Sequence, residues 1–400
     1  MTATTKPLHI GLVSLHTSPG DEPGSGEVGG MNVVVRHQAE ALADRGHHVD
    51  IVTRRSSPTQ PDSVSLVPGV CLRFLSAGPA EPVPKGEHDA FIAPFRDELA
   101  QLGAFDVLHS HHWFSGAAAL PVARERGIPH VQSFHSIAAD ADTPLSEGER
   151  PESVGRMAGE QLLARESDAV VVVSQAEADT VRERLGGEPA RVWIVPPGVD
   201  GSVFRPAAAG ARRAAAPYVV AAARVQPLKG LDLAIEAIAG IGQEARPTLV
   251  IAGDASSEAG DYVQELRRLA NARGIGDRVT FIGPQSRADL AFLFRGAAAV
   301  LVPSHSETYG LVALEGSASG VPVVAAAAGG LREAVVDGET GVVLESRDPH
   351  VWAAEIERIL TDPVYAAGLA AAGRDHAEHL SWERSAIGLE EVYHRVLGRP

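Results

Sequence analysis

The run SHSETYGLVALEGSASGVPVVAAAAGG, residues 304–330, sets two carboxylates, Glu307 and Glu315, on either side of a Tyr309-Gly310 break, with seven residues between them. A loop that opens into a helix at this break leaves the backbone N–H groups of Tyr309, Gly310 and Leu311 at the positive end of the helix dipole. That arrangement suits a phosphate or diphosphate. Glu315 is then expected about two turns into the helix, where it can accept hydrogen bonds from sugar hydroxyls. Gly320-Val321-Pro322 and an apolar strand over 323–327 close the segment. A lone glutamate on such a helix is more often a solvated acid; the combination points to a nucleotide-sugar site.

Four hundred residues, 44% of them hydrophobic, suit two α/β domains with substantial cores. A net charge of −16 argues against nucleic acid or an anionic membrane as a partner, so single bases in loops become informative. The one cysteine, Cys71, excludes an intrachain disulfide and fits a reducing compartment. The start, MTATTKPLHIGLVSLHTS, has no basic region followed by a signal-length apolar run, and no stretch reaches the length of a membrane span. The expectation is a cytoplasmic protein without an integral membrane segment. A homodimer is compatible with the sequence, which does not decide oligomeric state.

An apolar strand over 8–15, a glycine-rich loop over 16–32, a helix over 31–45 and a strand over 48–53 follow the order of a nucleotide-binding unit. The loop does not match G-x-G-x-x-G, but Gly29-Gly30 before the helix lets backbone approach an anion. Further strands are expected at 70–75, 107–109, 130–133, 169–173 and 193–195, with helices over 91–102, 115–126 and 154–166 between them. The Pro-, Gly- and Ala-rich segment 196–217 marks a boundary between domains 1–198 and 199–380. The final amphipathic stretch, 381–400, is free to pack back on the first. The second half repeats the rhythm, with strands at 218–222, 248–252, 279–282 and 299–302 and helices over 231–241, 257–272 and 290–294. The expected architecture is two Rossmann-like doubly wound domains facing a central cleft, with ligands at the carboxyl ends of both sheets.

Arg224 and Lys229, in ARVQPLKGLD, sit just past the first strand of the second half, where two cations can neutralise a diphosphate. With them in place, the second half resembles the donor domain of the retaining GT-B glycosyltransferases of glycosyltransferase family 4. The carrying motifs are R-x-x-P-x-K-G at 224–230, P-S-x-x-E-x-[FY]-G-L-x-x-x-E at 303–315 and G-x-P-V-x-A-x-x-x-G-G at 320–330. In the first half, HTSPGDEPGSGEVGGMNVVV and HSHHWFSG resemble the mycothiol-pathway branch of that family, the D-inositol-3-phosphate N-acetylglucosaminyltransferases.

The resemblance implies a donor site of Gly30, Arg224, Lys229, Glu307, Tyr309, Gly310, Leu311 and Glu315, with Glu307 on the sugar and Glu315 on the ribose. It implies an acceptor site of Asn32, Lys85, His112, Ser136 and Arg156. Lys85 and Arg156 match the two basic positions that hold an acceptor phosphate and favour an anionic acceptor. His112 stands in place of a tyrosine, Ser136 in place of a threonine, and Asp140-Ala141-Asp142 replaces an expected lysine and asparagine. His135, Arg224, Lys229 and Glu307 form the implied catalytic set, with His135 hydrogen-bonded to the donor sugar. No metal and no tightly bound cofactor are expected; the donor is a UDP- or GDP-sugar, and donor and acceptor are both small molecules. Two alternatives stay open. One is a specialised-metabolite paralogue, such as an S-glycosyltransferase joining ergothioneine or another thiol to a GDP-sugar in lincosamide-type antibiotic biosynthesis. The other is a sugar-nucleotide 2-epimerase.

Overall fold

The runs GLVS, AVVV and AVLV carry no alternation of polar and apolar residues, and each becomes a strand buried on both faces. The computed structural model describes residues 6–21, 29–208, 216–254 and 261–398. The first sheet contains β1 (His9–Ser14), β2 (His48–Arg54), β3 (Ser63–Val67), β4 (Val70–Leu75), β5 (Val107–His111), β6 (His130–Ser133), β7 (Ala169–Val172) and β8 (Val192–Ile194). Their order is β3-β4-β2-β1-β5-β6-β7-β8, parallel except where β3 runs antiparallel to β4. The second sheet contains β9 (Tyr218–Ala222), β10 (Thr248–Ala252), β11 (Val279–Gly283), β12 (Ala299–Val302), β13 (Val323–Ala326) and β14 (Val342–Leu344), parallel in the order β11-β10-β9-β12-β13-β14.

In each sheet the strand order reverses beside the first strand, between β1 and β5 and between β9 and β12. Loops leaving such a switch point diverge and open a crevice at the carboxyl ends of the strands. The loops after β1, β5 and β6 in one half, and after β9 and β12 in the other, therefore supply the ligand-facing residues.

Several expected elements move. The helix expected over 91–102 is a 3-10 turn, Lys85–Phe91, followed by the helix Ile92–Leu99. The short helix expected at 290–294 runs from Arg287 to Gly296, because Ser286 caps it by accepting from the Asp289 N–H. β3 and the helix Gln175–Glu183 were not expected; β3 is a mostly exposed, five-residue edge strand whose alternation, Val64 and Leu66, is too short to stand out. Parts of the glycine-rich loop, the inter-domain segment and the 257–272 helix lie outside the described residues.

The last helix, Trp382–Val396, returns to the first sheet. Trp382, Ala386, Leu389, Val392 and Tyr393 share one core with Leu8, Ile10, Leu12, Val35 and Leu42. Polar ties fix the register: Gln38 donates to Ser385 Oγ, the Arg45 fork takes both Glu390 oxygens at 2.7 Å, and His47 lies 2.8 Å from Glu390. At the centre, the Tyr393 hydroxyl lies 2.8 Å from His109 Nδ1. Tyr393→Phe deletes only that hydroxyl and leaves a buried ring nitrogen without its partner. The expected loss is about 1–3 kcal/mol, read as a lower urea midpoint at unchanged slope.

Candidate active site

Both halves line a cavity of about 470 Å³. The first half contributes Gly30 and Asn32 at the start of the helix Gly30–Asp44, Lys85, His112 after β5, and His135 and Ser136 after β6. The second contributes Arg224 and Lys229 after β9, then Glu307, Tyr309, Gly310, Leu311 and Glu315 after β12. Every candidate residue read from the sequence lines this cavity except Arg156, which is fully buried behind its wall.

On the second half's side, Lys229 Nζ lies 2.6 Å from Glu307 Oε1, which also accepts from Ser304 Oγ at 2.9 Å. Glu315 Oε1 accepts from Arg287 Nη1 at 2.8 Å, and the Arg287 guanidinium lies 4.7 Å from the centre of the Phe204 ring. Burial raises the Glu315 carboxyl above its ordinary range while the Arg287 charge pulls it back. The helix begins only at Leu311, after Gly310 at φ 111°, so Glu315 stands about one turn in, not two. The loop is knitted to its neighbours: His305 N–H donates to Leu228 O and Gly330 N–H to Glu307 O. A Cβ at Gly329 (φ 52°) would stand 2.2 Å from Glu307 O, and one at Gly230 (φ 60°) 2.1 Å from Pro303 O. Only glycine satisfies both the left-handed backbone and the close approach.

On the first half's side, His112 (φ 69°) and His135 (φ 61°) are the non-glycine residues with positive φ among the described residues. They follow the adjacent strands β5 and β6 by one and two residues, and strain of this kind gathers at functional sites. His135 Nε2 lies 2.8 Å from His111 Nδ1, and the His135 carbonyl accepts from Thr308 Oγ1 at 3.2 Å, across the cleft. Burial lowers His135 to about 4, so at neutral pH its ring is an uncharged hydrogen-bonding group. His112 is buried, packs 4.4 Å from the His16 ring, and has a hydrogen-bond partner on neither ring nitrogen.

The implied phosphate-holding bases are already engaged. Lys85 Nζ is 2.7 Å from Glu149 Oε1, and Arg156 bonds Glu152, Glu160 and Ser136 Oγ. The Asn32 amide donates to Thr17 Oγ1 and Ser18 O, which ties down the loop after β1. Asp140 and Asp142 are exposed and lie outside the cavity lining. Sequence reasoning missed Glu149, Arg287 as the partner of Glu315, and Thr308. It also missed Glu333, which receives the Gln175 N–H at 2.8 Å across the two halves. The i, i+4 spacing of Glu152, Arg156 and Glu160 was a readable signal; the others depend on long-range packing.

Two family profiles match the chain: "Glycosyltransferase Family 4" over residues 28–202 and "Glycosyl transferases group 1" over residues 208–376. A D-inositol 3-phosphate glycosyltransferase of Stackebrandtia nassauensis is 40% identical over 98% of this chain and 93% of its own length. Among solved structures, a sucrose-phosphate synthase of Thermosynechococcus elongatus is similar with a TM-score of 0.88 at 30% identity, over 98% of this chain and 99% of that one. The Anabaena protein Alr3699/HepE, solved with UDP and glucose, shares the fold with a TM-score of 0.75 at 20% identity, over 96% and 98% of the two chains. No helix among the described residues is long and apolar enough to cross a membrane.

The buried titratable groups give stability a two-sided pH dependence. Burial lowers His130 to about 3 and His135 to about 4, and holds His16, His109, His111 and His112 well below the ordinary value. These groups stabilise the fold above about pH 6.5, and that contribution is lost as pH falls toward their folded values. Urea midpoints should therefore rise from about pH 4 to 6.5. Glu177 runs the other way. Burial pushes its carboxyl up to about 7, against the smaller pull of the Val173 and His135 amides. Its contribution is whole below about pH 4.5 and is lost as pH rises through about 7. Glu177→Gln should exceed wild type at pH 8 by up to about 3 kcal/mol and lose that advantage by pH 4.5.

Proposed function

We propose a reaction for this chain, which belongs to glycosyltransferase family 4 and has its GT-B fold: transfer of a glycosyl group from a nucleoside-diphosphate sugar to a small polar acceptor, with retention at the anomeric carbon. The observation that carries this reading is the pairing of Lys229 with Glu307 at 2.6 Å beside the N-terminus of the helix Leu311–Ala318, with Arg224 lining the same cavity. As the bond to the sugar breaks, negative charge grows on the departing diphosphate. Arg224, Lys229 and the helix N–H groups stabilise that charge from fixed positions. Glu307 holds donor-sugar hydroxyls and Glu315, braced by Arg287, holds the ribose.

His135 offers a neutral ring to the sugar near its reacting carbon, and the bond from Thr308 to its carbonyl aligns it with the donor loop. The acceptor attacks from the face the diphosphate leaves. The departing phosphate oxygen takes the acceptor's proton as the new glycosidic bond forms, so no enzymic nucleophile is required. Closure of the halves excludes water that would hydrolyse the donor. The name of the Stackebrandtia relative supports a cyclitol-type acceptor. The ion pairs on Lys85 and Arg156 favour a paralogue whose acceptor differs from that relative's.

A thermal-shift series of UDP- and GDP-sugars tests the donor: the cognate one at about a hundred times its dissociation constant adds roughly 2.7 kcal/mol. The anomeric proton of the product, read by NMR, should show the donor's configuration; inversion overturns the mechanism. Arg224→Ala should lower kcat on the order of a hundredfold or more, and a wild-type rate from that variant sinks the assignment.

A further inference from the structure

The acceptor end of the cavity holds two cations and three carboxylates. Lys85 Nζ is 2.7 Å from Glu149 and 3.8 Å from Glu152; Arg156 reaches Glu149 at 3.5 Å and Glu160 at 2.7 Å, and also bonds Glu152. With all five groups ionised, this cluster carries a net charge of −1, and of the five only Lys85 and Glu149 line the cavity. The acids are seated, not incidental. Trp113 Nε1 donates to Glu152 at 2.6 Å, and the Ala138 N–H donates to Glu160 at 3.1 and 3.2 Å. A Cβ at Gly86 would stand 2.7 Å from Glu152 O, so the acidic segment presses directly on the turn that carries Lys85.

Arg156 is wholly buried and does not line the cavity, whereas Glu149 does, with its side chain 25% exposed. The contacts of Glu149 to both cations use Oε1. Its carboxylate therefore occupies the cationic site that an incoming phosphate needs, and a phosphate placed there meets a negative charge at contact distance. His112 supplies an independent pointer to a ligand. It is 2% exposed and lines the cavity; its Nε2 stands 3.8 Å from Glu152 Oε1, beyond hydrogen-bond reach, and neither ring nitrogen has a hydrogen-bond partner. A neutral buried imidazole in this state has one donor and one acceptor to offer a bound molecule.

We propose that the acceptor carries no phosphate and is an amine-bearing polyol, its ammonium group held by Glu149 and a hydroxyl held by His112. This assignment rests on the glycosyl-transfer reading above and specifies the substrate class of its acceptor site. Lys85 and Arg156 then serve as positioning residues: they hold Glu149 ionised and fix its rotamer, and they do not touch the acceptor as an anion clamp.

The test is calorimetric binding of three probes to the full chain: an inositol monophosphate, inositol itself, and an inosamine in which an amino group replaces one hydroxyl. Each is titrated with and without saturating nucleoside diphosphate. The inosamine should bind wild type at least about tenfold more tightly than the monophosphate. Glu149→Gln keeps the shape of the side chain and removes its charge. That variant should weaken the inosamine about tenfold and strengthen the monophosphate, bringing the two together. Preference of wild type for the monophosphate overturns the proposal, as does a preference unchanged by Glu149→Gln or an absence of binding by all three. Because binding is read without turnover, failure of the nucleotide to bind counts against the reaction, and failure of the probe series counts against the acceptor class.

Discussion

The loop after β12 keeps its shape because its carbonyl oxygens lie directly against glycines. Pro303 O faces Gly230, Glu307 O faces Gly329 and Thr308 O faces Gly330, each at a distance that leaves no room for a side chain. Three separate loops thereby meet backbone to backbone. Lys229 leaves one of them and Glu307 another, and their 2.6 Å contact follows from the fit between the loops more than from the attraction between the two groups. The same fit aims the start of the helix Leu311–Ala318 into the cavity. The proposed donor site thus depends on glycines that do not line it.

The facing wall is built on a different principle. Two histidines hold left-handed backbone just past the ends of neighbouring strands, and behind His135 lie the buried, uncharged imidazoles of His111 and His109. Hydrogen bonds span the halves from Thr308 to the His135 carbonyl and from the Gln175 and Ala176 N–H groups to Glu333. Thr308 belongs to the glycine-held loop, and Glu333 lies just beyond Gly329-Gly330. The strained wall and the rigid wall therefore share their alignment. Thr308 thus ties the loop after β12 directly to the His135 carbonyl.

The donor side was legible because its parts are contiguous. Arg224 and Lys229 fall within one seven-residue motif, and Glu307 through Glu315 form a single loop and helix start. The one error there, the depth of Glu315, came from placing the helix start too early, when Gly310 delays it. The acceptor side was not legible to the same degree. Lys85 and Arg156 were read as available cations, but Lys85 meets Glu149 across 64 residues, and no local pattern ranks that carboxylate above a ligand. Strands buried on both faces declared themselves by uninterrupted apolar runs. The exposed β3 had no such signature, nor did the polar helix Gln175–Glu183, which is announced only by its Ser174 cap.

The return of the last helix to the first sheet has a consequence in time. The bonds that seat it join residues 343 to 347 positions apart, from His47 to Glu390 and from Gln38 to Ser385. The first half is therefore finished by a segment made after the whole of the second half. Until then the apolar side of the helix Gly30–Asp44 stays uncovered, and His109 waits without Tyr393. Contacts of such long separation slow the final folding step and prolong exposure of a sticky surface. The second domain has no such dependence: its buried core runs only to Ala377 and is made before the helix Trp382–Val396, so the order of synthesis and the order of maturation run in opposite directions.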